Sequence, residues 1–462
     1  MRPDCADSAV RHLASAPVAY ARRIGLFSGT MLVVGGIIGS GIFLNPAIVA
    51  QRVGSARLIL LTWALGAVVA LLGAFIFAEL GARRPAAGGG YVYLREAFGP
   101  LPAFLYGWAL LLSIATGAAA AVAVTFASYA APLLGLAPGT EPWLAAAAIA
   151  LLSVINLVGV RPGTLTQNVF TLLKLAAIAA LVVSALVAPP LGVVAASPPV
   201  AAPTPLVLAI GTALVPVLFA YGGWQQTNFV AEEIVDAERN LPRALVIGVM
   251  VVAVVYLAVN LTYLRALGVP ALAASRAPAA DVMGAYFGET GRRLIAAGIA
   301  VSTFGFLNLV ILVTPRVYQA MARDGLFFAR FAELHPRFRT PVAAIVVQGA
   351  WVIALLLSGS YGQLLDYVTF ADWIFFGVTA ATLFVYRRRD QGDRAQYRAP
   401  FYPASVALFC VACVYVVAGA IVSNPWNAVR GALLLAAGIP VFLYWSRRAR
   451  WRDTGRRDNF TG

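Results

Sequence analysis

The chain has 462 residues, 61% of them hydrophobic and 11% charged, with a mean hydropathy of +0.83. Soluble globular domains carry roughly 25% charged and 45–50% apolar residues, so a soluble enzyme, a disordered chain and a nucleic-acid-binding module are excluded. The 34 basic residues against 19 acidic ones give a formal net charge of +15, yet they fall in short clusters between apolar runs, the pattern of membrane topology.

A helix crossing the hydrocarbon core needs about 20 apolar residues. In chain order such runs lie near 24–51, 58–80, 101–131, 143–160, 167–188, 205–230, 242–268, 292–323, 341–358, 362–386, 402–422 and 428–446. They predict an all-α membrane protein of twelve transmembrane helices, with both termini on one side. Residues 1–23 lack the apolar core of a signal peptide, and Arg22 and Arg23 directly precede the first run, so the segment reads as a cytoplasmic tail, as does 447–462.

With the N-terminus inside, the tails and alternate loops hold 26 arginines, among them Arg83, Arg84, Arg95, Arg316, Arg323, Arg387, Arg388 and Arg389. The other side holds seven: Arg52, Arg57, Arg265, Arg276, Arg292, Arg293 and Arg430. Lys174 completes the 34, and the bias predicts both termini cytoplasmic in a multi-pass protein of the inner (plasma) membrane.

The three cysteines build no disulfide framework: Cys5 is in the tail, and Cys410 and Cys413 share one face of the eleventh span. His12 and His335 are far apart, and no nucleophile, phosphate-loop or metal-ligand motif appears. The chain therefore reads as no enzyme, with no metal and no cofactor.

Two interrupted spans carry the functional signal. In the first, residues 35–41 hold four glycines and a serine; in the sixth, Phe219-Ala220-Tyr221-Gly222-Gly223-Trp224-Gln225-Gln226 follows Pro216. Glycine costs about 1 kcal/mol against alanine in a helix. One such run would suit close helix packing. A pair five spans apart marks the openings of two halves, 24–188 and 205–386, the second inverted by the odd number of spans, with 402–446 as two extra helices. An unwound segment exposes amide N–H groups of the half-helix that follows and carbonyls of the one that precedes. A zwitterionic α-amino acid carries the matching pair of charges on one carbon. Backbone at Gly39, Ser40 and Gly41 suits its carboxylate, and carbonyls near Ile37, Phe219, Ala220 and Gly222 suit its ammonium.

At these residues the chain resembles the amino acid–polyamine–organocation superfamily, and within it the L-type amino acid transporters and their bacterial relatives. The matching stretches are GIIGSGIF at 36–43, GGGYVYLREAFG at 88–99, FAYGGWQQTNFVAEEI at 219–234, RNLPRAL at 239–245, TPRVYQAMARDG at 314–325 and DWIFFG at 372–377. The resemblance implies a leucine-transporter-type fold, a five-plus-five inverted repeat with broken helices 1 and 6 plus two extra helices. It also implies alternating-access transport of amino acids, usually as exchange. By the family's pattern Ile37, Gly39, Ser40, Gly41, Phe219, Ala220 and Gly222 form the substrate site. Phe219 gates it, and Trp373 approaches the side-chain pocket. Gln225 stands where many members have Asn, which opens the question of side-chain preference. The loop at 132–142 lacks the cysteine by which animal members join a heavy subunit, so no such disulfide partner is expected.

Lys174 lies inside the apolar run 170–188, where a lysine at a span centre costs about 2.5–3.5 kcal/mol. The resemblance gives it a place: sodium-independent members carry a lysine in span five. Its ammonium would then stand where sodium-coupled relatives bind a cation, tied to the broken first span and to Ser302 and Thr303 of span eight.

Glu79, Glu232 and Glu233 are expected to pair with arginines or close an inner gate. Asp366 is placed near the outer interface, and Asp372 either faces the pocket or caps a kink. Gly88-Gly89-Gly90 reads as a flexible entry to a short amphipathic helix. With no acidic residue clearly lining the site, the expected function is sodium-independent exchange of neutral L-amino acids by a lipid-embedded permease that binds no nucleic acid. The alternative is a proton-coupled amino acid or polyamine symporter.

Overall fold

The computed structural model describes residues 18–188, 205–358, 361–390, 395–423 and 425–458. Cys5, His12 and the connection at 189–204 fall outside these residues, as does the side chain of Asp366. Apart from one isolated bridge between Ile24 and Ile234, the regular elements described are helices. They are α1 (Leu26–Ile37), α2 (Gly41–Val53), α3 (Ala56–Arg83), α4 (Gly90–Phe98), α5 (Pro100–Ala109), α6 (Ala115–Leu133), α7 (Glu141–Leu157) and α8 (Val160–Val187). The second half of the chain adds α9 (Leu206–Ala220), α10 (Ala237–Ala274), α11 (Pro278–Val313), α12 (Pro315–Arg323), α13 (Val342–Ser358), α14 (Tyr361–Arg389), α15 (Ala404–Ser423) and α16 (Pro425–Asp458).

Helix satisfies every backbone group within the segment, which is why apolar runs adopt it in lipid. Among the described residues eight helical segments are long and apolar enough to cross a membrane, and the bent pair α1–α2 makes a ninth. Helices α7 and α13 are shorter apolar helices. Each apolar run read from the sequence falls on one of these helices or helix pairs.

Between helices in lipid, close backbone approach replaces hydrophobic driving force, so small residues mark the crossings. A Cβ on Gly66 of α3 would lie 2.3 Å from Val217 of α9, and one on Gly248 of α10 would lie 2.5 Å from Val33 of α1. Proline shapes α9 further. Pro216 has no N–H for the Thr212 carbonyl, and the Arg52 guanidinium takes that carbonyl instead. Asn45 donates to the Pro216 carbonyl at 2.7 Å, which ties α2 to α9.

Arginine-rich loops gather at one end of the bundle, and ion pairs close it. The Glu233–Arg316 pair is fully buried at 2.7 Å. Glu79 takes Arg83 at 2.8 Å, the Arg387 Nε at 2.9 Å and the Ala399 amide at 2.7 Å. Glu232 faces Arg323 at 3.7 Å. The chain just before α1 is drawn into the same end: Arg23 and Ile24 donate to the Glu233 carbonyl at 2.9 and 3.0 Å. The Gly88-Gly89-Gly90 stretch belongs here too, and it is not a flexible entry. Gly88 and Gly89 hold φ of +101° and +45°, and a Cβ on Gly89 would lie 2.8 Å from the Asn228 backbone. Close approach and left-handed backbone require these glycines.

Candidate functional site

The first broken span stops at Ile37, resumes at Gly41 and turns by 43° between the two pieces. Three residues, Ile38, Gly39 and Ser40, form the break. Gly39 donates its N–H to the Ile37 carbonyl at 2.9 Å, so that amide is committed within the turn. The N–H groups of Ser40, Gly41 and Ile42 open α2 and have no backbone partner among the described residues. The anion-attracting end therefore lies one residue further along than the sequence suggests, at Ser40–Ile42 rather than Gly39–Gly41.

The second break follows α9 at Tyr221-Gly222-Gly223, and the chain then winds as a 3-10 helix over Trp224–Glu233. Gly223 sits at φ +108°, and a Cβ there would lie 2.2 Å from the Gly36 carbonyl oxygen. The two breaks thus touch backbone to backbone, which only glycine permits. Gln225 is buried, and its Oε1 accepts the Gly223 N–H at 3.0 Å. Its carbonyl-bearing side chain stabilises the turn itself.

Tyr256 of α10 joins the breaks. Its hydroxyl lies 3.0 Å from the Ile37 carbonyl and 3.1 Å from the Ala220 carbonyl, the C-terminal ends of α1 and α9. The Ile37 carbonyl also holds the Gly39 N–H, so acceptor capacity for an ammonium is left at both carbonyls when the one hydroxyl proton turns to Ala220. The Phe219 carbonyl accepts the Gly222 N–H at 3.2 Å.

Lys174 of α8 is fully buried and donates to the carbonyls of Gly35 at 3.1 Å and Ile38 at 2.8 Å. Both carbonyls lie where α1 ends and have lost their helical partners, so a cation there satisfies them and meets the negative end of the helix dipole. Ser302 of α11 leans on the same turn, its hydroxyl 3.3 Å from the Ile38 carbonyl and 3.4 Å from the Gly39 carbonyl. Thr303 does not join them. Its hydroxyl bonds back to Ile299 at 2.8 Å and Ala300 at 3.0 Å within its own helix. One residue further along α11 rotates a side chain by 100°, away from the lysine. The neighbour that α11 does supply is Gly305: a Cβ there would sit 3.4 Å from the Lys174 Cε.

A cavity of about 170 Å³ opens between the breaks. Ile37, Gly39, Ser40, Gly41, Phe219, Ala220, Gly222, Gln225 and Trp373 all line it, whereas Lys174, Ser302 and Thr303 do not. Phe219 is 40% exposed. Trp373 is buried edge-on to Phe376 at 5.4 Å. Sequence reasoning missed the opposite wall. Between α5 and α6 the helix widens into a π turn at Leu110–Ile114, where Leu110 and Ile114 reach the cavity. Such turns recur at functional sites, but apolar residues in an apolar helix leave no trace of one. Phe306 of α11 and Asp372 of α14 also line the cavity. A site without an acidic wall is therefore corrected. Helix α14 is apolar on most faces, so only its packing decides which way Asp372 points.

A broken-helix pair around a central cavity, inside an all-helical membrane bundle, defines a transporter rather than an enzyme. The chain belongs to the amino acid permease family, whose model matches residues 24–442. It is similar to the serine/threonine exchanger SteT of Bacillus subtilis, 32% identical over 432 residues, which cover 92% of this chain and 97% of that protein. It is also similar to the mouse b(0,+)-type amino acid transporter 1, at 33% over 445 residues covering 92% of this chain and 90% of the other. The mouse large neutral amino acids transporter small subunit 2 matches at 32% over 451 residues, 94% of this chain and 83% of its own.

Proposed function

We propose that this protein exchanges neutral L-amino acids across the membrane by alternating access, without sodium. The observation that carries the reading is the meeting of opposite backbone ends at one cavity: N–H groups at Ser40 and Gly41, carbonyls at Ile37 and Ala220. A substrate carboxylate fits the first set and its α-ammonium the second, each at the end of a helix whose dipole favours it. The apolar side chain then lies toward Phe219, Trp373 and Phe376.

In this reading the chain has twelve spans, two inverted five-span halves at 24–188 and 205–386 and two further helices at 402–446. The arginine-rich end and both termini face the cytoplasm. The Lys174 ammonium supplies the positive charge that a coupling sodium would bring to the first break. The ion pairs of Glu79 and Glu233 close the cytoplasmic end, and Phe219 closes the other over bound substrate. Exchange follows when the ion pairs open in turn. The serine/threonine exchanger among the relatives supports exchange as the mode, and no disulfide-linked heavy subunit is expected.

Counterflow tests this. Proteoliposomes loaded with an unlabelled panel of the twenty amino acids should take up labelled neutral L-amino acids equally well in sodium and choline buffers, and empty vesicles should not. Uptake driven by an inward proton gradient into empty vesicles would favour a symporter and overturn exchange.

A further inference from the structure

The last span ends in a graded stripe that transport leaves unused. Pro440, Leu443, Tyr444, Arg447 and Arg448 of α16 recur at helical spacing on one face and line an open groove of about 580 Å³. Along that face the chemistry runs from apolar through phenolic to cationic, and the apolar span itself ends at Arg448. Leu443 and Tyr444 are 48% and 59% exposed, so the face looks outward from the bundle. Beside it stands an aromatic shelf. Trp445 meets Tyr444 at 5.5 Å and, on the connection after α12, Phe328 at 5.1 Å. Phe328 lies outside the apolar spans and is exposed. Aromatic belts of this kind sit at the headgroup level of a bilayer. The two arginines, one turn beyond Tyr444, therefore stand at the depth of the lipid phosphates.

Among the described residues neither Arg447 nor Arg448 makes an ion pair. Arg448 donates to the Tyr444 hydroxyl at 3.4 Å, and its guanidinium lies 5.7 Å from the Trp445 ring centre. These contacts orient the planar fork without neutralising it. Charge and shape together select the occupant. A phosphodiester accepts two N–H groups of one guanidinium. A choline or ethanolamine headgroup would bring its own cation against two more, whereas an uncharged headgroup leaves the phosphate charge to the arginines. Leu443, one turn back toward the bilayer, offers exposed apolar surface to an acyl chain, which a free phosphate lacks. We propose that the groove at the end of α16 binds an anionic phospholipid, with Arg447 and Arg448 on its phosphate and Leu443 and Pro440 along its chain. This site is separate from the cavity between the breaks and does not depend on what is exchanged there.

Native mass spectrometry of the full chain in detergent tests it. The probes are phosphatidylglycerol, phosphatidylcholine with the same acyl chains, and chainless glycerol phosphate. The first phosphatidylglycerol should bind about tenfold or more tighter than phosphatidylcholine, as expected for two arginines at a membrane surface. The double variant Arg447→Gln/Arg448→Gln should lose that preference by about tenfold or more, with phosphatidylcholine binding unmoved. Arg447→Lys/Arg448→Lys keeps the charge and should keep most of the preference. Arg57→Gln, at an exposed arginine at the other end of the bundle, should leave it unchanged. Equal affinity of the wild type for the two lipids would overturn the proposal. So would a glutamine pair that keeps the preference, or an equally large loss in Arg57→Gln. Glycerol phosphate binding as tightly as phosphatidylglycerol would show a simple anion site and overturn it too. None of these readouts involves exchange, so their failure would leave the proposed function standing.

Discussion

The break at Ile38–Ser40 and the break at Tyr221–Gly223 start from the same device, glycines in an apolar span, and are held by different chemistry. The first resumes as regular α-helix and is gripped from outside by the buried Lys174 nitrogen and a serine hydroxyl, both on its carbonyls. The second runs on as a tight 3-10 helix and is held from within, by the Gln225 side chain on the Gly223 amide. A break gripped by a side chain from a neighbouring helix responds to changes in that helix. A break locked by its own turn serves as a fixed wall. In the exchange reading proposed above, ion dependence belongs to the first break and steric gating to the second.

Glycine substitutions should separate the two most strongly. Gly223→Ala forces a Cβ to 2.2 Å from the Gly36 oxygen at φ +108°, whereas a Cβ on Gly39 meets nothing closer than Phe306 at 3.8 Å. Overpacking together with a left-handed strain costs about 3 kcal/mol or more. Thermal unfolding in detergent should therefore show Gly223→Ala severely destabilised and Gly39→Ala within about 1 kcal/mol of wild type. Equal losses would mean that the two breaks do not meet as described.

Lys174→Ala comes next. It removes two buried hydrogen bonds, worth about 1 kcal/mol or more each, and leaves the Gly35 carbonyl unpaired, while Ser302 still reaches that of Ile38. Exchange in proteoliposomes should fall by about thirtyfold or more. Gln225→Ala, which removes a neutral hydrogen bond of about 1 kcal/mol from the second break, should cost about fivefold. Wild-type exchange by Lys174→Ala would end the account of Lys174 as the fixed cation.

Tyr256→Phe touches both breaks through one hydroxyl, so it should cost about 1 kcal/mol of stability in the same unfolding assay. The smallest contrast is within α11. Ser302→Ala should slow exchange by about twofold to fivefold, for a single neutral hydrogen bond. Thr303→Val, whose hydroxyl bonds only to its own helix, should stay within about 0.5 kcal/mol of wild type in stability. A larger effect at Thr303 than at Ser302 would reverse the reading of that helix face.

What is legible in the sequence is whatever violates the rule for an apolar span. Runs of glycine at 35–41 and 222–223, and a lone lysine at 174, stand out because each is costly in a helix in lipid. What obeys the rule is silent. The π turn at Leu110–Ile114 is written in leucine and isoleucine. Tyr256 is one of many aromatics, and only the folded bundle brings its hydroxyl between two helix ends. Gly305 lies beside Lys174, but a Cβ there would press first on Phe170 at 3.0 Å. Ser302 and Thr303 are adjacent, and only helix register assigns one of them to the break. Asp372 violates the rule, yet its direction depends on how α14 packs.

In the proposed mechanism two broken helices and a fixed lysine cation take the place of a sodium site. Counterflow of labelled neutral L-amino acid into amino-acid-loaded proteoliposomes, run in sodium and in choline for wild type and Lys174→Ala, tests it most directly. Wild-type rates should be equal in both buffers, and exchange should collapse in the variant. A wild-type rate that depends on sodium, or a variant that exchanges as fast as wild type, would contradict it.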